Sequence, residues 1–328
     1  MKREHLISAV KQALLCMQRF PWEHGVSSQA MLESGDLKLA FYFARESVSR
    51  QADDGRLSAV FFKDHVAMFG DEKTAADSAA NGENVLYFAE KDDNKAFLEA
   101  AYRQRDWLLH KAPRANNGAI SHMIPAVQVW VDAMFMCIPF LARIGEQDEA
   151  VRQVRAMREL LKDEQTKLFY HVWDDEKQYY ASDEFWGVGN GWALMGMAKT
   201  VRFLSCDRED RKEIISYIKE LLDAMLSFQD ASGLFHNHIN EPETFLDTNC
   251  SQMAAYVIYS GVKEGWLEEK YVPIADKIRE IVASKVDELG FVQGVCGSPT
   301  FRQQGIAVEG QACFILMEAA AEKYRAQN

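Results

Sequence analysis

Asp132 is a lone carboxylate within the apolar stretch from Val127 to Met136. An unpaired carboxylate in an apolar setting is costly to ionise, so burial there is expected to raise its pKa. A carboxyl with a raised pKa can donate a proton near neutral pH, as a general acid must. The alternative is a buried acid that pairs with a distant Arg or Lys. We interpret Asp132 as a catalytic acid/base.

A second unusual stretch runs from Phe185 to Trp192 and carries three glycines at alternate positions. Glycines allow a tight backbone and the close approach of a ligand. No strand of Val and Ile precedes them, which argues against a dinucleotide-binding fingerprint. Trp186 and Trp192 offer indole faces on which the C–H groups of a sugar can pack. The structural alternative is a tight turn held by two core tryptophans.

Apolar periodicity predicts about twelve helices of alternating character, with very little strand. The more charged set is expected at roughly 4–18, 37–51, 93–110, 147–162, 209–229 and 268–286, and the more apolar set at roughly 24–34, 78–90, 127–144, 190–204, 248–263 and 308–325. Turns marked by Gly or Asn lead into short aromatic or β-branched segments, which indicate hairpin strands. We predict an all-α fold, an (α/α)6 barrel of six helical hairpins with short β-hairpins in the loops, as a single domain over residues 1–328. An open α-solenoid that binds proteins is the alternative.

In a closed barrel the amino-terminal ends of the inner helices share one rim. Polar and aromatic residues start each predicted inner helix: Trp22, Glu23 and His24; Asp77, Asn81 and Asn84; His122, Gln128 and Asp132; Trp186, Asn190 and Trp192; Asp247, Thr248, Asn249 and Ser251; Glu309 and Gln311. Asp77 or Asp247 could simply cap a helix. His122, His171 and His236 each have an ordinary hydrogen-bonded role as the alternative, and Trp130 and Trp173 are expected in the core. Rings with Asp, Asn and His on one rim, without a metal or nucleotide motif, indicate a carbohydrate site.

The charge and composition of the chain limit the classes of binding partner and the location that we expect. The net charge of -12 argues against nucleic acid or an anionic membrane surface as a general partner. No stretch approaches the roughly 18 apolar residues of a membrane span, and the first residues do not read as a signal peptide. Six scattered cysteines suit a reducing cytoplasm and give no zinc pattern. We expect a cytoplasmic enzyme without metal or cofactor, as a monomer or weak homodimer.

The segments Val129–Met136 and Phe185–Trp192 resemble the unsaturated uronyl hydrolases of glycoside hydrolase families 88 and 105, which include the unsaturated rhamnogalacturonyl hydrolases. Trp22–Val26, Leu168–Asp174 and Val295–Gly297 extend the resemblance to most of the chain. It implies an (α/α)6 barrel that acts on small oligosaccharides ending in a 4,5-unsaturated uronic acid. The family hydrates the C4=C5 bond; the hemiketal then opens and the glycosidic bond is lost.

The resemblance also implies residue roles. Asp132 would protonate C4 and help activate the water that attacks C5, and Asp77 would position substrate and water. The substrate-binding candidates are His122, His171, Trp192, Trp22, Asn190, Gln128 and Trp186. Val188 stands where many family members carry an arginine of the pocket lining, and Arg302 is the candidate replacement cation.

Two other functions stay open on the residues alone. A sugar epimerase or isomerase on the same barrel would use paired histidines, for which His171 with His236 or His238 qualifies. Its product would be a ketose–aldose pair, and the absorbance of an unsaturated uronate would not be lost. A non-enzymatic helical scaffold would be an open superhelix, or would turn Asp132 outward.

Overall fold

The computed structural model describes residues 3–62, 65–66, 68–69, 72–297 and 300–327. Helices dominate this part of the chain. In chain order they are α1 Arg3–Leu14, α2 Pro21–Glu33, α3 Leu37–Ser49, α4 Gly82–Lys91, α5 Lys95–His110, α6 Ala133–Met136, α7 Ile138–Arg143, α8 Gln147–Leu161, α9 Gly187–Phe203, α10 Glu209–Ser227, α11 Thr248–Lys263, α12 Val272–Ser284 and α13 Val308–Arg325. Short 3₁₀ helices at Asp77–Asn81 and Glu269–Tyr271 lead into α4 and α12.

The helices form two concentric layers. The inner ring is α2, α4, the broken pair α6 and α7, α9, α11 and α13; successive members contact each other, and α13 packs against α2, which closes the ring. The outer helices are α1, α3, α5, α8, α10 and α12. The predicted all-α (α/α)6 barrel of helical hairpins is therefore confirmed.

Burial explains why the two layers differ in sequence. The outer helix α8 buries residues three or four apart, such as Ala150, Val154, Met157 and Leu161, and turns its charged side to water. The inner helix α9 is instead buried along nearly its whole length, from Gly187 to Val201. Within the described ranges, however, no helix is both long and apolar enough to cross a membrane.

Short strands occupy the loops, as predicted. They are β1 Val60–Phe62, β2 His65–Val66, β3 Met68–Phe69, β4 Glu72–Thr74, β5 Met123–Ile124, β6 Gln128–Trp130, β7 Val172–Asp174, β8 Tyr179–Ser182, β9 Phe235–His236, β10 Leu246–Asp247, β11 Val295–Cys296 and β12 Gln304–Gly305. Two three-stranded antiparallel sheets, β3–β4–β5 and β6–β7–β8, stand beside the amino-terminal ends of the inner helices.

One predicted element is wrong. The helix expected over 127–144 is a strand, β6, followed by the short helices α6 and α7. Residues 128–130 alternate in burial with a period of two, with Val129 buried between two half-buried neighbours, which is the pattern of a strand. Pro139 stands in the first turn of α7, where its missing N–H costs no helical hydrogen bond.

The glycines of the Phe185–Trp192 stretch do not form a tight turn, which was the structural alternative for this stretch. They lie in the first turns of α9 with ordinary helical φ angles. Their lack of a side chain permits close packing instead: a Cβ on Gly189 would lie 2.7 Å from Val131 Cγ1, and one on Gly191 2.2 Å from Met253 Sδ. Farther along α9, a Cβ on Gly196 would lie 2.2 Å from the backbone oxygen of Met134. Gly189 and Gly196 therefore bring α9 close to the residues around Asp132, and Gly191 brings it close to α11.

A buried charge network ties the inner ring together. Lys199 on α9 is fully buried, and its Nζ lies 2.7 Å from Glu33 Oε1 on α2 and 2.9 Å from Glu83 Oε2 on α4. Glu33 also accepts hydrogen bonds from the Tyr256 hydroxyl and pairs with Arg202 at 3.3 Å. Burial by itself raises the pKa of Glu33, but the charges of Lys199 and Arg202 outweigh it and hold that pKa far below its usual range.

Candidate active site

A cavity of about 400 Å³ opens at the amino-terminal ends of the inner helices. This volume falls within the range of roughly 300–1,000 Å³ that is usual for small-molecule sites. Side chains from five of the six inner elements and from the loop after β11 line it. They are Trp22, Asp77, His122, Gln128, Trp130, Asp132, Met136, His171, Val172, Ala181, Ser182, Glu184, Trp186, Trp192, His238, Thr300, Phe301, Arg302 and Glu309.

Pairing of β6 with β7 places Asp132 beside His171. Trp130 faces Val172 across the two strands, and the Val131 N–H donates to the His171 carbonyl at 3.0 Å. The two side chains that follow therefore meet, with His171 Nε2 3.6 Å from Asp132 Oδ2. His171 Nδ1 lies 3.3 Å from the Ser182 hydroxyl on β8. Asp132 stands at the start of α6 but makes no capping hydrogen bond there.

A second acid–histidine pair faces the same cavity. The β4–β5 ladder aligns Thr74 with Met123, and the Ala75 N–H donates to the His122 carbonyl at 2.7 Å. Asp77 follows on the 3₁₀ helix, and its Oδ1 lies 3.4 Å from His122 Nε2. Both side chains are almost entirely buried, with 5% and 7% of their surface exposed.

The two carboxyl groups differ in their electrostatic setting. Burial raises the pKa of Asp77, and the negative charge of Asp132 adds to that effect, so that the opposing charge of His122 does not cancel it. Burial also acts to raise the pKa of Asp132, but the neighbouring His171 and the charge of His122 outweigh it, so the pKa lies below its usual value. The expectation that an apolar setting raises the pKa of Asp132 is therefore wrong. Of the two acids, Asp77 retains a proton more readily.

Aromatic rings connect the two pairs. The indole of Trp130 stacks on the imidazole of His122 with ring centres 4.7 Å apart and planes 7° from parallel. His171 lies between Trp130 and Trp186, with its ring centre 5.4 Å and 4.7 Å from theirs. Trp22 meets Phe301 edge-to-face on the wall that they share. Such a pocket offers apolar faces on which a sugar ring can pack, and it places two carboxyl groups next to that ring.

Comparison with known proteins identifies the family. A profile of Glycosyl Hydrolase Family 88 matches residues 5–323. The chain belongs to this family. This match confirms the resemblance that the sequence motifs show. The fold agrees as well, since a family 105 glycoside hydrolase from C. acetobutylicum ATCC 824 superposes on this chain with a TM-score of 0.81. The two proteins are 20% identical, and the superposition covers 99% of this chain and 100% of that one.

Two relatives have stated activities. The unsaturated rhamnogalacturonyl hydrolase YesR of Bacillus subtilis (strain 168) is 30% identical over 227 residues, 65% of this family 88 chain and 64% of the relative. The unsaturated 3S-rhamnoglycuronyl hydrolase of Formosa agariphila is 26% identical over 234 residues, 65% of this chain and 60% of the relative. The chain therefore matches less than two thirds of the length of either relative.

The structure brings eight of the nine predicted site residues to the pocket of this family 88 chain: Asp132, Asp77, His122, His171, Trp192, Trp22, Gln128 and Trp186. Asn190 is the exception. Its amide is fully buried and bonds to the backbone N–H and carbonyl of Phe169 and to the carbonyl of Trp186. Asn190 therefore joins α9 to the segment before His171 rather than facing a ligand.

Two sequence interpretations change with the structure. Trp130, expected in the core, lines the pocket, and the period-two alternation of 127–131 is the signal that would have placed it on a strand. Val188 is completely buried and does not line the cavity, so this position lies outside the pocket wall. Arg302 does line it. Among the described lining residues, Arg302 is the one Lys or Arg side chain.

Glu309 is a rim residue to which the sequence assigns no role. It lies in the first turn of α13, lines the pocket and is 2% exposed. Burial raises its pKa well above the usual value and outweighs a hydrogen bond from its own backbone N–H, which acts in the opposite direction; the charges of Glu23, Asp247 and Asp132 add smaller raising contributions. Among the described residues, no group of three or more His, Cys, Asp or Glu side chains is arranged to hold a metal ion.

Proposed function

We propose that this family 88 chain is a glycoside hydrolase that removes a 4,5-unsaturated uronic acid from the non-reducing end of small oligosaccharides, in the manner of an unsaturated rhamnogalacturonyl hydrolase. The observation that carries the proposal is the juxtaposition of two acid–histidine pairs in one aromatic pocket, with opposite pKa shifts on Asp132 and Asp77. Buried carboxyl groups whose pKa values are shifted by specific neighbours in a pocket are candidates for a functional site. The whole chain would act as one catalytic domain.

In the proposed reaction, Asp132 is the general acid/base. The substrate brings its own carboxylate into the pocket, and this negative charge raises the pKa of Asp132 and favours its protonation in the complex. Asp132 then gives its proton to C4, and the carboxylate that results takes a proton from the water that adds to C5. The addition returns Asp132 to its starting state. Asp77, the acid that holds a proton more readily, orients the substrate and this water.

The pocket also supplies a cation for the uronate. Arg302 is exposed at the cavity mouth, on the loop that follows β11. A guanidinium binds a carboxylate through two parallel hydrogen bonds, so Arg302 is suited to the charged group of the substrate. Arg302→Gln is expected to raise KM for the unsaturated uronate. An unchanged KM would rule out this contact.

The direct test is a panel of lyase-generated unsaturated disaccharides from rhamnogalacturonan, chondroitin, heparin, ulvan and xanthan. Each is incubated with the protein, and the fall in ultraviolet absorbance of the C4=C5 bond is followed. We expect turnover of the rhamnogalacturonan product. Persistence of the absorbance with every member of the panel would contradict the proposed function.

The role of Asp132 is tested by Asp132→Asn, which is nearly isosteric. We expect the variant to fold and to lose at least roughly 10²- to 10⁴-fold in kcat, because removal of a general acid/base typically costs that much. His238→Gln is the matched control, because it changes a pocket side chain that belongs to neither acid–histidine pair. Asn190→Asp cannot serve as the control, because Asn190 is structural. Near-full activity of Asp132→Asn would exclude Asp132 as the acid/base.

Of the two histidine pairs that an epimerase could use, His171 with His238 lines the pocket, where His238 Nδ1 lies 3.0 Å from Glu241 Oε2, and His171 with His236 does not. His236 lies outside the pocket lining, and its Nδ1 hydrogen-bonds to the Thr244 carbonyl at 2.7 Å. The closed ring and the inward-facing Asp132 do not fit the scaffold alternative. We further propose a cytoplasmic location, since all six cysteines are unpaired, and a monomer or weak homodimer. Fractionation of the source cells tests the location, and light scattering after size-exclusion chromatography measures the oligomeric state.

A further inference from the structure

The pocket contains a third carboxyl that neither acid–histidine pair uses. Glu309 lies in the first turn of α13 and lines the same cavity as Asp132 and Asp77. Its Oε2 is buried and has no hydrogen-bond partner among the described residues. No described Lys, Arg or His pairs with it. A buried polar atom without a partner costs free energy, so an unpartnered atom that faces a cavity indicates a ligand group.

The neighbourhood determines which form of the carboxyl fits. Glu23, Asp247 and Asp132 are the charged groups that act on Glu309, and all are acids. The proposed substrate is itself an anion. An ionised Glu309 would repel both that substrate and Asp132, whereas a neutral carboxyl offers one O–H donor and keeps an acceptor. The chain keeps no described counter-charge beside this position, which is consistent with a neutral acid.

We propose that Glu309 is a neutral carboxylic acid that donates a hydrogen bond to a ring hydroxyl of the bound unsaturated uronate and so fixes the orientation of that sugar over Asp132. This inference rests on the proposed function. It makes Glu309 a binding residue and gives it no part in proton transfer. Hydroxyl groups are the partners that a neutral donor and acceptor at one site can satisfy, and Trp22, which lines the same cavity, supplies an apolar face for the sugar ring.

Two variants separate hydrogen bonding from acid chemistry. Glu309→Gln keeps the size, the neutral state, a donor and an acceptor, whereas Glu309→Leu keeps the bulk and loses both. We expect Glu309→Gln to remain within about 3-fold of the wild-type kcat/KM. We expect Glu309→Leu to lose roughly 5- to 150-fold, mainly through KM, which is the fold-change for leaving a buried polar partner unsatisfied. Thermal unfolding of both variants controls for loss of structure.

The protonation state is measured without turnover. An infrared difference spectrum of wild type minus Glu309→Gln at pH 8 should contain the C=O band of a protonated carboxylic acid. A carboxylate band in its place overturns the proposal. Two kinetic results would also overturn it. The first is a loss of kcat/KM in Glu309→Gln equal to that in Glu309→Leu, because this would mean that the acid proton itself is needed. The second is a wild-type KM in Glu309→Leu.

The activity measurements also distinguish failure of the proposed function from failure of the role of Glu309. If the wild type consumes no unsaturated disaccharide, the proposed function fails, and the infrared result alone decides whether Glu309 is neutral. If the wild type is active and Glu309→Leu binds the substrate as the wild type does, only the role of Glu309 fails.

Discussion

Replacement of Lys199 by Met should destabilise the fold severely, because it leaves a buried carboxylate without its counter-ion. Glu33 keeps Arg202 at 3.3 Å and the Tyr256 hydroxyl at 2.9 Å. Glu83 has no second cation in the described structure, and its Oε2 lies 2.9 Å from Lys199 Nζ. Breaking a buried pair by removal of one partner typically costs about 3–5 kcal/mol. We expect Lys199→Met to lower the free energy of unfolding by about that amount.

A double variant identifies the group responsible. Adding Glu83→Gln to Lys199→Met removes the unpaired charge and should recover a large part of the loss, whereas Lys212→Met is the exposed control. Lys212 pairs with Glu209 at 2.7 Å, the same distance as Lys199 to Glu33, but both side chains of this pair are mostly exposed. Exposed pairs contribute about 0–1 kcal/mol, so this variant should unfold nearly as the wild type does.

Urea unfolding at pH 7 and at pH 4 provides the assay. The pKa of Glu33 is lowered in the folded protein, so its contribution to stability is present above the unfolded pKa and lost as the pH falls. The difference between wild type and Lys199→Met should therefore shrink at pH 4. The reasoning would be refuted if Lys199→Met were no less stable than Lys212→Met, or if the double variant recovered nothing.

Further predictions concern the pocket and its support. His171→Gln removes the group that holds the pKa of Asp132 down, so the alkaline limb of kcat/KM should move to higher pH, and His238→Gln should leave it in place; a limb that stays or moves down in His171→Gln would contradict this. Gly196→Ala places a Cβ against the Met134 backbone and should cost about 1–3 kcal/mol in urea unfolding. Gly305→Ala, whose Cβ would meet nothing nearer than 3.6 Å, should cost much less, and equal losses would count against the packing argument.

The architecture was predictable because each layer of the barrel has its own sequence pattern. Helix α8 alternates buried and charged residues with helical spacing, and α11 carries no charged residue before Lys263, so periodicity and composition locate both. The 127–144 region could not be divided correctly, since an apolar run around Asp132 satisfies both helical and strand patterns. The one local signal for the strand is the short period-two alternation of 127–131, and pairing with β7, a strand distant in the sequence, decides between the two patterns.

The composition of the site was more predictable than its electrostatics. Asp132 and Asp77 were found because each begins an inner element, and a closed ring gathers those ends. The direction of the Asp132 shift depends on His171, which reaches it through the β6–β7 ladder and has no local signal. Asn190 satisfied the same rim pattern, but which way an amide at the start of a helix turns depends on its packing against Phe169.

The central claim is that the chain adds water across C4=C5, with Asp132 as the proton donor to C4. A proton NMR time course of an unsaturated rhamnogalacturonan disaccharide in D₂O tests it most directly. The account predicts that the vinyl signal disappears as one deuteron enters C4 in a single configuration at the earliest times, and that Asp132→Asn abolishes this change. Release of the neighbouring sugar while the C4=C5 bond is still intact would contradict the account.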